Sequence, residues 1–151
     1  MHASGRPFAD ASGERLRAWL AVTAEEFYDE ARVAIVPMSF CFPGHDTAGG
    51  DLPPRPECAR RWHAELFAHL PQLELVLLVG SYAQRWHLGL TGRETAAQTV
   101  ARWRSIYASA VDPRRVPLPH PSWHNTAWLK ANPWFETELL AFLRPKVRRL
   151  L

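Results

Sequence analysis

An α/β fold, with helix layers on both faces of a short parallel sheet, is the class this sequence predicts. Three apolar runs of strand length, residues 33–36, 73–79 and 116–118, are separated by stretches of helical period. Strands that alternate with helices in this way pair in parallel and are covered by the helices. Helix start signals complete the pattern, because Thr23 with Glu26 and Thr91 with Glu94 both have capping-box spacing.

Along the chain, the Thr23 box opens a helix before the first apolar run, and residues 38–55 then form a long stretch without periodicity. That stretch holds Pro43, Gly44, Gly49, Gly50, Pro53 and Pro54, and a loop of such length is functional or disordered. Trp62, Leu66 and Leu70 next share one helical face and are assigned to the core. After the second run, Gly80 marks a close backbone approach, and Ser81 can cap a turn that stops at Gly89. Val100, Trp103 and Tyr107 line another core face. The third run ends at Pro119-His120-Pro121, where two prolines stiffen the loop that carries the imidazole. A donor held in that way suits stabilisation of developing charge.

The 151 residues, 47% apolar, suffice for one core and are too few for two ordinary domains, so a single domain over residues 1–151 is expected. The formal charge of +3 rests mainly on arginine, since the only lysines are Lys130 and Lys146. Arginine suits phosphate, and the balance permits a nucleic-acid partner without requiring one. No run approaches a membrane span and the N-terminus carries no signal-peptide pattern, which points to a cytoplasmic protein; a monomer is expected. Cys41 and Cys58 are too few for a disulfide framework and are expected as free thiols or ligands.

Ligands of open α/β sheets lie beyond the carboxyl ends of the strands. The segments leaving those ends are residues 37–55, Gly80 onward and Pro119 onward, and together they nominate one crevice. Taken singly, each nominated residue has a plainer assignment. His120 can end a strand and donate to a carbonyl, Phe8 can be core, and the two cysteines can be inert buried thiols. His45, Asp46 and Asp51 match no metal-site spacing and are assigned to a solvated loop, and Arg144, Lys146, Arg148 and Arg149 to a solvated helix end.

His120-Pro121-Ser122 after a short apolar run, followed by Asn125 and Asn132-Pro133-Trp134-Phe135, resembles motif B of the uracil-DNA glycosylase superfamily. Residues 5–13, Gly-Arg-Pro-Phe-Ala-Asp-Ala-Ser-Gly, resemble the segment after motif A in the bacterial iron-sulfur branch. Residues 77–83, Leu-Leu-Val-Gly-Ser-Tyr-Ala, resemble the third strand and following turn of that branch. The resemblance implies hydrolysis of the N-glycosidic bond between deoxyribose and uracil, or a related damaged base, after the nucleotide is flipped from the stack. It implies that His120 stabilises the anionic leaving base, that Phe8 stacks on the base, and that Ser122, Asn125 and Ser81 belong to the DNA-binding surface. Trp123 and His124 occupy the part of the motif that probes the minor groove.

The chain also departs from the family pattern. Motif A and its water-positioning residue should precede Gly5, where only residues 1–4 stand, so an N-terminally truncated domain without its first central strand, and with impaired activity, is expected. Pro37 occupies the base-reading position held by asparagine in the iron-sulfur branch, which leaves hypoxanthine or another lesion open alongside uracil. Cys41 and Cys58 resemble the last two of four cluster ligands; two thiolates cannot complete such a cluster, so none is expected in this chain, though one is possible in a longer parent. The alternative is a noncatalytic or degenerate nucleic-acid-binding domain of the same fold. A serine esterase finds no Gly-x-Ser-x-Gly elbow.

Overall fold

The computed structural model describes residues 5–47 and 49–151. Its backbone gathers into two compact units, residues 36–118 and a second made of Met1–Ile35 with Pro119–Leu151.

The first of these is the α/β part. Strands β1 (Leu75–Val79) and β2 (Arg114–Leu118) pair in parallel, with Leu77 opposite Val116 and Val79 opposite Leu118. Helices α3 (Pro56–Ala68), α4 (Ser81–Leu88), α5 (Ala96–Ala101) and α6 (Trp103–Ser109) belong to the same unit. Leu78, Val100, Val116 and Leu118 are all 1% exposed or less, and full burial of such a side chain contributes about 1.5–3 kcal/mol. Pro117 lies inside β2 without a ladder donor, which a strand with one neighbour tolerates on its open side. Gly80 has φ 84° and ψ 168°, a region open essentially to glycine alone, and its N–H donates to the Leu118 carbonyl at 2.9 Å. The glycine lets the chain leave β1 and enter α4 at once.

Four expectations need correction here. Residues 33–36 form no strand: none of the four is buried, and the run lies across the boundary between the units with no ladder partner. Apolar character without a neighbouring edge does not make a strand. The capping box starts at Thr95 with Gln98, not at Thr91 with Glu94, because Gly92 would fall in the first turn of the earlier helix while Ala96 and Ala97 favour the later one. Trp62 is 44% exposed, with Arg61 over its ring at 4.9 Å; the buried side of α3 is Ala59 and His63. Ser81 is the first helical residue of α4 rather than its cap, a place taken by Gly80. The expected stop at Gly89 is present, in the left-handed conformation with φ 63°.

His87 is stacked on His63, ring centroids 5.5 Å apart, and lies beside Phe67. Burial, reinforced by His63 and Arg115, pushes its pKa down to about 4. The unfolded chain binds this proton near pH 6.5 and the folded chain does not until about pH 4. The contribution of His87 to stability should therefore be constant above pH 6.5 and fall as the pH drops from 6.5 to 4. Urea denaturation across that range checks this, with His87→Phe expected to flatten the slope.

The second unit is helical. It contains α1 (Ala11–Leu20), α2 (Ala24–Phe27), a 3-10 turn at Trp123–Asn125, α7 (Thr126–Ala131), a π-helical turn at Phe135–Leu140 and α8 (Ala141–Leu150). Thr23 and Glu26 form the expected reciprocal box at the start of α2. Leu16, Trp19, Leu20, Phe27, Phe135, Leu139, Leu140 and Leu143 make its core, with Trp19 edge-on to Phe135 at 4.9 Å. Arg144 and Arg148 serve the fold. Arg144 donates to the Trp19 carbonyl at 3.0 Å, and Arg148 donates to the Ala21 carbonyl at 2.7 Å and pairs with Glu26. They satisfy carbonyls at the end of α1 that the helix itself leaves open. No helix among the described residues is long and apolar enough to cross a membrane.

Candidate functional site

The helical unit brings the N-terminal loop and the His120 loop together. Phe8 and His120 have ring centroids 6.4 Å apart, their planes inclined by 35°. Phe8 adopts φ 57°, a left-handed conformation that costs a non-glycine residue about 1–2 kcal/mol. Its surroundings hold it there. The Phe8 carbonyl accepts from Arg17 at 3.2 Å and from the Tyr28 hydroxyl at 3.0 Å, and the ring lies edge-on to Phe27 at 6.4 Å. Gly13 completes the constraint, because a Cβ there would stand 1.7 Å from the Phe8 carbonyl oxygen. Asp10 caps α1, its Oδ1 accepting from the Gly13 N–H at 3.0 Å.

His120 is held by the backbone that follows it. The Ser122 N–H donates to Nδ1 at 3.3 Å, which leaves the ring proton of the neutral form on Nε2. Asn125 Nδ2 donates to the His120 carbonyl at 2.7 Å. The residue keeps an exposed edge, yet enough protein surrounds the imidazole that desolvation lowers its pKa; the Asp10 carboxylate opposes this. The ring is neutral at pH 7, a donor through Nε2 and an acceptor through Nδ1. Replacement of Asp10 by Asn, which still caps a helix, should lower the His120 pKa further. A titration of the ring by NMR checks this, and an unchanged or raised value would remove Asp10 as its electrostatic neighbour.

Ser122 takes the cap position of the 3-10 turn but makes no capping bond with its hydroxyl. Trp123 is 73% exposed and lies against His124 with ring centroids 3.8 Å apart, so the turn presents a flat aromatic pair to solvent. Asn132 closes α7 by donating to the Trp128 carbonyl at 2.8 Å and accepting from Trp134 Nε1 at 3.0 Å. The Asn-Pro-Trp-Phe sequence is thus a structural joint behind the His120 loop.

Pro37, Ser81, Cys41 and Cys58 belong to the α/β unit. The Pro37 carbonyl accepts from His63 Nε2 at 3.0 Å, and Ser81 opens α4. Cys41 is exposed in the loop and Cys58 is half-buried on α3, both as free thiols. No group of three or more His, Cys, Asp or Glu side chains converges as a ligand set among the described residues. His45 Nδ1 and Asp51 Oδ1 lie 3.1 Å apart and close the tip of the 38–55 loop instead.

Two side chains at the site carry no distinguishing signal in the sequence. Asp10 and Arg15 look like an ordinary cap and an ordinary helix cation, and only the folded chain sets one beside His120 and the other on the carbonyl of Ser122, at 2.9 Å.

The helical unit thus places the segment of residues 5–13 beside the His120 loop. Compared with known families, the chain matches the model of the uracil DNA glycosylase superfamily over residues 1–144. That span takes in both strands and every residue around His120, and the chain belongs to the uracil DNA glycosylase superfamily.

Proposed function

We propose that the protein is a DNA repair glycosylase that hydrolyses the N-glycosidic bond of uracil, or of a related damaged base, in DNA. The observation that carries this reading is the geometry of His120, whose Nδ1 is engaged by the Ser122 N–H and whose ring lies 6.4 Å from that of Phe8; desolvation lowers its pKa and favours the neutral ring, with Nε2–H the remaining donor.

The bond between the base nitrogen and C1′ breaks with both electrons going to the base, so negative charge develops on the ring nitrogen and is shared with the exocyclic carbonyl oxygens. A neutral donor fixed in advance stabilises that charge without giving up its proton early. Phe8 supplies the stacking surface, and a planar base lying on it turns an edge toward His120. The sugar cation left behind takes water, which loses a proton. The Ser122 hydroxyl, which caps nothing, suits a backbone phosphate, and the Trp123–His124 pair suits the gap left by a flipped nucleotide.

The reading is tested with duplex and single-stranded oligonucleotides that each carry one uracil or one hypoxanthine. Alkali-labile abasic sites are expected with at least one substrate. Binding that depends on salt but not on the lesion, with no abasic product from any substrate, would replace this reading with that of a noncatalytic DNA-binding domain.

A further inference from the structure

Among the described residues, Arg15 makes the one long-range side-chain hydrogen bond from α1 to the His120 loop. It leaves α1 between the exposed Glu14 and the buried Leu16, itself half-buried, and its NH1 reaches the Ser122 carbonyl at 2.9 Å and the Thr126 hydroxyl at 3.4 Å. Ser122 is the residue whose N–H engages His120 Nδ1. Asp10, Phe8 and Gly13 fasten the start of the same helix.

We propose that Arg15 is a positioning residue that ties the His120 loop to α1 and so holds the Ser122 amide on Nδ1, keeping the ring proton on Nε2. Its catalytic consequence rests on the glycosylase reading; its effect on the imidazole does not. The physical argument is one of leverage. Upstream, Pro119 and Pro121 limit φ on either side of His120 but leave the orientation of the Ser122 peptide open. Downstream, the Ser122 carbonyl accepts from the Asn125 N–H at 3.2 Å, a bond internal to the turn that moves with it. Arg15 alone of these contacts references the turn to a packed helix. The guanidinium suits the task, being planar and always charged, with the donors to bridge a carbonyl and a hydroxyl at once. Pro121 is fully buried and fixes one point of the loop; without Arg15 the turn can still pivot about that point, the Ser122 N–H leaves Nδ1, and both neutral tautomers of His120 become populated. Rings in the second tautomer would present a lone pair where the leaving base needs a proton donor. Displacement of the turn adds to the loss, since misplacement by about 1 Å can cost about a hundredfold.

The test uses the whole chain and three proteins: the parent, Arg15→Met, which keeps the aliphatic stem packed, and Arg15→Lys, which keeps a donor. Nitrogen-15 long-range NMR correlations of the histidine rings read the tautomer, and single-turnover base release reads the chemistry. The parent is expected to show His120 as the Nε2–H tautomer. Arg15→Met should show exchange between tautomers and a rate at least about tenfold lower, with a cooperative melt; Arg15→Lys should recover part of both. A single Nε2–H tautomer in Arg15→Met, with folding intact, would overturn the proposal whether or not the chain releases bases. Should Arg15→Met fail to fold, Arg15→Gln, whose amide nitrogen ends two bonds short of the guanidinium NH1, decides on the same readings, and a parent-like tautomer together with a parent-like rate in that variant would overturn it too. Absence of base release from the parent, with the tautomer response as expected, would refute the glycosylase reading and leave the positioning role standing.

Discussion

Replacement of His120 by alanine should lower base release by about 10²–10³-fold, the cost of removing one preorganised donor to a developing anion. The loss should appear in the single-turnover rate, with DNA affinity little changed, because phosphate contacts dominate binding. Stability should change little as well. The imidazole has an exposed edge, and the bond from Asn125 goes to the His120 backbone carbonyl, which alanine retains. A rate within about threefold of the parent would exclude His120 as the donor. The pH dependence follows from the same geometry. Protonation of Nδ1 abolishes its ability to accept from the Ser122 N–H, so activity should fall on the acid side. Because desolvation holds the His120 pKa below its ordinary value of 6.5, that fall should have its midpoint below pH 6.5.

Gly13→Ala should destabilise the protein by about 2 kcal/mol and displace Phe8. Alanine is the better helix former by about 1 kcal/mol, so a solvent-facing glycine in α1 would be improved by the change. Gly13 is buried, however, and the added methyl would stand 1.7 Å from the Phe8 carbonyl oxygen and 2.8 Å from its Cβ. These atoms belong to a residue already held in a left-handed conformation by Arg17 and Tyr28, and neither is the end of a flexible side chain. Overpacking of this sort costs about 1–3 kcal/mol beyond the propensity gain. A thermal melt should shift down by about 4–8 °C, and base release should drop as the stacking platform leaves His120. A melt that rises instead would show that the loop yields without strain, and that Phe8 is not held by Gly13.

The two substitutions probe different links of one arrangement. In the proposed reading His120 is the donor to the leaving base, while Gly13 shapes the loop that faces it. Gly13 and Phe8 lie near each other in sequence, and the Gly-Arg-Pro-Phe stretch hints at a turn, but the reason a glycine is required is a carbonyl oxygen five residues earlier that occupies the space of its missing Cβ.

Local chemistry makes several elements legible in the sequence itself. The Thr23–Glu26 box, the stop at Gly89, the pairing of the second and third apolar runs and the core positions Val100 and Trp103 all depend on residues within a turn or on one face of an element. The misplaced elements show where such signals end. Thr91 and Thr95 both have box spacing, and the choice fell to the helix formers after Thr95. Residues 33–36 have strand composition but no neighbouring edge, which no local pattern reveals. Trp62 has core periodicity on α3 and still faces solvent under Arg61, because the buried side of that helix is taken by Ala59 and His63.

By itself, then, the amino-acid sequence determined the α/β class, the rigid loop around His120 and, through motifs of near neighbours, the superfamily. Those properties follow from φ restriction at prolines, hydrophobic period and residue spacing, all of which are short-range. Tertiary structure alone decided which ring nitrogen carries the proton, that Asp10 is the carboxylate His120 feels, and that Arg15 reaches Ser122 across 107 positions of chain. A tautomer or a pKa is set by whatever atoms lie within a few ångströms, and in a folded chain those atoms come from segments that no spacing rule connects.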